Sequence, residues 1–539
     1  MERLQKWKAA LNQASNYSGY SFHIGNEYEY NLIGEIVKKV TNKINRVPLH
    51  VANYPRYPSR YIPSNFCPKK LAICKLPNNC FTSLELASFL NQKLTNLKVL
   101  DFKDSEYLTH IPDVSGLSNL EEFSMNNCKN LLTIHNSVGH LNKLKDLNAK
   151  GCSKVQSFPP LKLTSLKKLQ LSGCESLNSF PEILGEMQYI TVIELRETSI
   201  EEFPLSFQNL TGLCLLKVVG NGMHRFSSNS LMMTNLWSVH IENCHLLFPK
   251  ENDKFSSEMF PEVGSLELFN SNLSDESLPK FLTLFANVTI LDLSANHFTI
   301  LPECLKECDF LYKLCLDDCK NLQEIRGIPP SLKYFSAKSC VSLTSSSRRM
   351  LLNQELHEAR GTHFYFSAGT EGIPEWFEHQ TNGPSISFWS RNYLPSIALL
   401  LVTKLKHGVD ASDCLVNINL FINGYGYYVD SREVREWQEI KPGHAYLFDL
   451  HLHSRVLNFN IEHRNEKLWN VKFKLEEALS KNEWIHVEVT YTHQMKDALL
   501  IESGIHIFKE KNSMENIRFS NPYKKSRFVD AETDMELEI

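Results

Sequence analysis

One sequence feature leaves few folds open: an apolar pattern that returns every 21 to 27 residues through the middle of the chain. The pattern is Leu-x-x-Leu-x-Leu-x-x-(Cys/Asn/Thr/Ser)-x-x-Leu. It reads Leu120, Phe123, Met125, Cys128, Leu131 in one copy, then Leu144, Leu147, Ala149, Cys152, Val155, then Leu166, Leu169, Leu171, Cys174, Leu177. A shorter form follows at Ile190, Ile193, Leu195, Thr198 and Ile200, and further copies begin at Leu213, Leu236, Val263, Val288, Leu311 and Leu332. Leu97 opens an upstream copy and Leu71 a weaker one. Between Leu97 and Leu332 the steps are 23, 24, 22, 24, 23, 23, 27, 25, 23 and 21 residues, too regular over eleven copies to be chance.

Each Leu-x-Leu is a short strand with alternate side chains turned inward. One such unit cannot bury its apolar side alone, so neighbours must stack into a parallel solenoid with a shared core. The pattern therefore predicts an α/β leucine-rich-repeat horseshoe over residues 69–345. Six of the 14 Cys fall in the slot after the strand: Cys128, Cys152, Cys174, Cys244, Cys319 and Cys340. They are read as packed thiols whose side chains bond adjacent backbone. Metal ligands would have to converge, whereas these step one per repeat. Pro112, Pro159, Pro181, Pro204 and Pro302 mark the outer, irregular side, because Pro has no N–H to give to a ladder.

Composition narrows the class further. A formal net charge of −4 gives no pull toward nucleic acid or an anionic membrane. Hydrophobic content of 42% with 22% charged residues is that of a folded chain. No stretch of apolar residues is long enough for a membrane helix, and the opening residues carry no apolar signal core. With thiols rather than a disulfide framework, the expected compartment is the cytoplasm or nucleus. The sequons at Asn209, Asn272 and Asn287 are accordingly read as accidental.

The flanks differ from the repeats. Leu32, Ile33, Ile36, Val37, Val40 and Ile44 share one helical stripe, so 1–46 is read as helical. Five Pro between 47 and 68 predict an extended connector. Residues 346–363 form a second connector with a short helix near Met350–Ala359. From about Phe364 the period becomes two, as in Val416–Ile422, Tyr446–Leu450, Leu457–Ile461 and Ile485–Tyr491. An antiparallel β-sandwich is expected over 364–512. The last residues, 513–539, switch from basic to acidic and are read as a disordered tail.

Three segments now carry a resemblance. Trp7–Leu11, Ser18–Tyr20 and Ile44–Ala52 resemble the end of a TIR domain. Tyr57–Phe66 with Pro68–Leu71 resembles the approach to the repeats in plant TIR-NBS-LRR disease resistance proteins. Gly369–Gln380 with Ser385–Trp389 resembles the C-terminal jelly-roll/Ig-like domain that follows the repeats in that family. The last segment departs from the family pattern by one residue, Gly372, inserted before Ile373-Pro374. The family's nucleotide-binding domain is missing between the first two segments: no Gly-x-x-x-x-Gly-Lys-(Ser/Thr) phosphate loop occurs. The family's catalytic TIR glutamate lies upstream of the part that is matched. Gly424 and Gly426 form only a fragment of a nucleotide loop, in a strand-rich setting.

The resemblance implies an intracellular immune-receptor fragment, not itself an enzyme, that recognises a pathogen effector or a guarded host protein. Two other readings stay open: an NAD-cleaving TIR enzyme whose catalytic and nucleotide-binding parts lie outside this sequence, and a regulatory adaptor that pairs with full-length receptors. No cofactor or metal is expected. The residues between the buried Leu positions are the candidate protein-binding face. They are Asp101, Lys103, Glu122, Asn126, Asp146, Asn148, Lys150, Lys168, Gln170, Glu194, Arg196, Glu197, Lys217, His240, Glu242, Phe269, Asp292, Asp317, Asp318 and Lys338. Phe269 stands out, since an exposed aromatic is a favoured hot spot, the other reading being that it covers the longer 27-residue step before it. Ile373, Pro374, Trp376, Phe377 and Trp389 mark the post-repeat motif, its aromatics serving either the sandwich core or contact with a partner. His451 and His453 share a strand face but lack the companions a metal needs. No nucleophile elbow or acid–base carboxylate pair is present.

Overall fold

The computed structural model describes residues 51–53, 71–90, 94–220, 223–225, 235–247, 262–285, 287–358, 361–405, 416–427, 442–452, 475–493, 499–508 and 514–523. The helical reading of 1–46, the strand read at Leu457–Ile461, His453 and the acidic tail lie outside these residues. The chain divides into two compact units, 1–290 and 291–539.

In the first unit the inner strands of successive repeats pair in parallel, in two separate runs. Val51–Asn53, Ile73–Lys75, Val99–Asp101, Glu122–Ser124, Asp146–Asn148 and Lys168–Gln170 form one sheet in chain order. Val192–Arg196, Leu215–Val219, Ser238–Glu242 and Ser265–Phe269 pair in the same way, with Val192, Leu215, Ser238 and Ser265 opposite one another. The apolar period explains this register. Leu213, Leu216 and Val218 of one repeat are all buried, as are Leu97, Leu100 and Phe102 of another, while the residues between them are open or half-open. Sliding a strand by one residue would expose the whole set.

Two devices recur along the rungs. The first is the thiol slot, which behaves as the sequence predicts. Cys128, Cys152 and Cys174 donate to the carbonyls of Phe102, Met125 and Ala149 in the preceding repeat, at 3.3, 3.1 and 3.2 Å. In the second unit Cys319 and Cys340 bond Leu293 and Leu316 at 3.3 and 3.0 Å. Burial pushes the Cys128, Cys174 and Cys319 thiols up to about 12, so they are inert packed groups. The second device is a left-handed residue at the end of the strand. It is Asp104, Asn127, Gly151, Gly173, Glu197, Asn243 and Asn270 in the first unit, then Ala295, Asp318 and Ser339 in the second, with φ between 46° and 77°. A left-handed residue there turns the chain away from the strand into the outer side of the repeat.

That outer side is made of short parallel pairs and single 3₁₀ turns. His110–Ile111 pairs with Thr133–Ile134 and ends at Pro112. In the second unit Ile300–Leu301 pairs with Glu324–Ile325 and ends at Pro302, which opens the turn Glu303–Glu307. The 25-residue step that begins at Val263 accommodates a helix, Ser277–Leu284.

The second unit joins repeats to antiparallel structure without a break. Lys313–Cys315 pairs in parallel with Tyr334–Ala337, and Tyr334–Ala337 pairs in parallel with His363–Ser367. His363–Ser367 then pairs antiparallel with His444–His451. That strand is followed across the sheet by Ser396–Leu405, Leu499–Ile507 and His379–Asn382. A facing antiparallel sheet runs Tyr425–Tyr427, Val416–Ile422, Ile485–His493, Ser385–Ser390 and Ile517–Arg518. The two sheets bury one cluster between them, including Tyr365, Leu399, Tyr446 and Phe448 from the first and Phe388, Leu420, Val487 and Val489 from the second. The expected helix near Met350–Ala359 is instead two, Ser345–Leu351 and Gln354–His357. Thr344 caps the first by accepting from the Ser347 amide, and Asn353 caps the second by accepting from the Glu355 amide, so the break falls between them.

Candidate protein-binding face

All twenty residues proposed from the sequence are open or half-open, and none is buried. They divide into two groups by what their side chains touch. Several close the rung rather than face outward. Asp101, Asn148 and Asp292 accept from the amides of Lys103, Lys150 and Ser294, two residues on, at 2.9, 3.0 and 2.9 Å. Glu197 and Asp318 occupy the left-handed position itself, just beyond the strand. Such residues hold local geometry before they meet any partner.

The second group lies along the strands. Glu122, Asp146 and Lys168 sit side by side in register. Asp146 has one carboxylate oxygen that is buried without a hydrogen bond, and burial raises its pKa. Arg196 donates to Glu194 on its own strand at 2.6 Å. His240 is the most tightly held: its Nδ1 meets Glu267 on the next strand, and its Nε2 lies 3.4 Å from Glu242. Those hydrogen bonds, with Glu267 first, raise the His240 pKa against the opposing effect of burial. The two carboxylates thus flank one imidazole, whose protonated form they favour. Lys217 and Gln170 stand on this row at other rungs, and nothing in the geometry draws them into a common site.

A prediction about His240 follows with a definite sign. Its folded-state pKa is raised, so the stabilisation is complete below the unfolded value of about 6.5 and is lost as pH rises through the folded value. NMR titration should place the His240 midpoint above that of a histidine in a short peptide. A midpoint at or below the peptide value would contradict the His240–Glu267 pairing.

Apolar groups on this face were harder to read from the sequence. Phe269 is open at its strand end, at 37% exposure. Trp237, exposed at 54%, lies over Gly264, where an added Cβ would come within 2.5 Å of the indole nitrogen. In the second unit Tyr334 stacks on His363, ring centroids 4.7 Å apart, and meets Tyr312 at a tilt, 5.1 Å away. The candidates drawn from the sequence include Phe269 but leave out Tyr312, Tyr334 and Trp237, although the repeat register places all three. His363 and Tyr365 belong to one more rung in which Gly361 replaces the first Leu, so the period fades while Phe364 and Phe366 still fill the Leu-x-Leu positions.

The post-repeat motif packs inside the second unit. Trp376 donates from Nε1 to the Leu352 carbonyl at 2.9 Å, stacks on His357 at 6.0 Å and meets His506 edge-on at 5.1 Å. Phe377 is buried, and with Ile373 it lies against Gly504, where any side chain would collide with both. Pro374 accepts from Gln380 at 3.1 Å through its carbonyl, which closes the turn. Trp389 is half-open on the facing sheet beside His486, at 4.6 Å. Trp376 and Phe377 therefore fasten the 345–357 helices to the Leu499–Ile507 strand, whereas Trp389 keeps one side toward solvent.

The remaining candidates resolve simply. Asn423 and Gly424, with φ of 49° and 80°, form the two-residue turn between Val416–Ile422 and Tyr425–Tyr427, so the glycine fragment is a hairpin turn. The His451 Nδ1 lies 2.9 Å from the Ser396 hydroxyl. Among the described residues no three His, Cys, Asp or Glu side chains are placed to hold a metal, and no helix is long and apolar enough to cross a membrane.

Residues 162–360 match the family described as Disease resistance protein RPS4B-like, leucine-rich repeats. The chain is 27% identical over 353 residues to TMV resistance protein N of Nicotiana glutinosa, covering 56% of this chain and 30% of that protein. It is 28% identical over 391 residues to Disease resistance protein RPS6 of Arabidopsis thaliana, covering 63% and 33%. The chain thus spans about a third of the length of these relatives. Among solved structures, a Leptospira interrogans LRR protein aligns over 60% of this chain and 97% of its own, at 18% identity and a TM-score of 0.32. A TDR receptor aligns over 54% and 52%, at 18% identity and a TM-score of 0.34. The resemblance to plant TIR-NBS-LRR resistance proteins drawn from the sequence holds over the repeats.

Proposed function

We propose that this chain recognises another protein in plant defence, a pathogen effector or a host protein under surveillance, through the open face of its repeat strands. The observation that carries the reading is the division of labour within each rung. Alternate side chains such as Leu216 and Val218 are consumed by the core, while Lys217 and its counterparts remain open on a rigid parallel sheet. A surface of that kind binds without reorganising, which lowers the cost of association. Similarity to disease resistance proteins supplies the biological setting. The described cysteines are all free thiols, which supports action in the cytoplasm or nucleus. Recognition rather than catalysis is the role assigned to this stretch.

The test begins with a panel of plant-pathogen effectors and host defence proteins, each screened for direct binding to the full chain. Against a partner found there, Glu194→Lys or Glu242→Lys should weaken affinity about tenfold. Lys306→Glu, on the outer side of a repeat, should leave it unchanged. The reverse pattern would show that the strands' open face is not the binding surface.

A further inference from the structure

We propose that two neighbouring charge bands on the first unit form a docking surface for a second copy of this chain, the copies lying antiparallel about a two-fold axis. This goes beyond the proposed function and does not depend on which protein the chain recognises. Residues 141–173 hold seven Lys against one Asp, a net of +6. Residues 174–202 hold seven Glu against one Arg, a net of −6. All of those Lys and Glu side chains are exposed.

The bands stay distinct and fixed. Among the described residues no ion pair joins a Lys of the first band to a Glu of the second. The Lys145 ammonium turns to Glu121 at 2.6 Å and that of Lys154 to the Asn130 side chain at 2.8 Å, both toward the preceding repeat. Arg196 is taken up by Glu194, inside the acidic band, at 2.6 Å. The sign changes where the parallel ladder is interrupted, between Lys168–Gln170 and Val192–Arg196. There the Ser172 hydroxyl donates to the Glu194 carbonyl at 3.0 Å and accepts from the Arg196 amide at 3.2 Å. The Gly173 amide donates to the Arg196 carbonyl at 2.7 Å. These bonds hold the bands side by side.

The order of charge selects the occupant. A uniformly charged ligand laid across both bands meets as much repulsion as attraction. A fitting surface must carry the same two signs in reverse order and at the same spacing. This surface, turned about a two-fold axis, has that order. An isologous contact sets a patch against its own copy, so the basic band of each copy meets the acidic band of the other. Lys154 and Glu175 lie just past the thiol positions Cys152 and Cys174 of successive repeats, where the Ser176 amide donates to the Ser153 carbonyl at 3.0 Å. With the axis between them, Lys154 of one copy faces the partner's Glu175, and the contact occurs twice.

Sedimentation velocity of the full chain reads the association. Wild type should form dimers as concentration rises. They should dissociate as salt is raised from about 0.1 to about 1 M, where the Debye length falls from ~10 to ~3 Å. Lys154→Glu and Glu175→Lys each set like charges together at two symmetric points, and each should weaken the dimer about tenfold. An equimolar mixture of the two variants should recover the wild-type affinity, since each reversed charge then meets its complement. That recovery also shows that both variants fold. Lys320→Glu, exposed just past the Cys319 thiol position in the second unit, should change nothing. A chain that stays monomeric at every concentration overturns the proposal. So does a dimer indifferent to salt and to both variants, or a mixture that associates no better than either variant alone.

Discussion

Phe364→Ala is expected to destabilise the second unit by about 3–5 kcal/mol, the usual cost of emptying a buried phenylalanine site. Phe364 is buried, lies 5.3 Å from Phe335 on the preceding repeat and meets His357 edge-on at 4.9 Å. Its strand, His363–Ser367, is shared. One edge pairs with the repeat strand Tyr334–Ala337 and the other with the antiparallel strand His444–His451. The next residue, Tyr365, points to the opposite side and joins the cluster between the two sheets. A cavity at Phe364 therefore loosens a strand on which both cores depend. Urea unfolding followed by near-ultraviolet circular dichroism should show the large shift, with Phe269→Ala as an open-surface comparison changing stability by under about 0.5 kcal/mol. A loss below about 1 kcal/mol for Phe364→Ala would mean that the shared strand does not carry the junction.

That junction shows where the sequence was legible and where it was not. Period and register are dictated by burial, and burial is written in residue type. Leu216, Val218, Leu314 and Leu316 could be placed inside from the pattern alone, and the thiol slot followed from its fixed spacing. The outward residues are set by the same register, yet register says nothing of what a side chain bonds to. Asp101 and Gln170 hold the same position in the repeat, although Asp101 accepts from its own backbone two residues on and Gln170 is half-open on its strand. Pairings between rungs, such as His240 with Glu267, depend on rotamers and on a neighbour 27 residues away. The cleft where the last repeat strands meet the antiparallel strands was hidden for a different reason. It needs Tyr334 and Lys338 from a recognisable repeat together with Tyr446 and Phe448, more than a hundred residues on, brought alongside by antiparallel pairing that no local signal specifies.

The second large effect is an acid sensitivity centred on His357. This histidine is 1% exposed, and burial drives its pKa down to about 4. Its Nε2 lies 2.8 Å from the Leu351 carbonyl, a group that can only accept, so Nε2 carries the proton. Nδ1, 2.8 Å from the Thr362 hydroxyl, is then the acceptor. A second proton would have to enter at Nδ1, against Thr362 and among Phe364 and Trp376, with the Lys333 charge adding to the penalty. In the unfolded chain the imidazole titrates near 6.5. As pH falls through that value the unfolded state gains a proton that the folded state refuses until about pH 4. Stability must therefore decline between these limits, by up to about 3 kcal/mol from this group. The direction is opposite to that at His240, whose contribution fades as pH rises. His357→Gln retains a donor for the Leu351 carbonyl but cannot titrate. Its stability at neutral pH should be lower than wild type, and its decline from pH 6.5 to 4 correspondingly shallower. Parallel curves for the two proteins over that range would show that His357 is not the group that resists protonation at the joint between the helices and the sandwich.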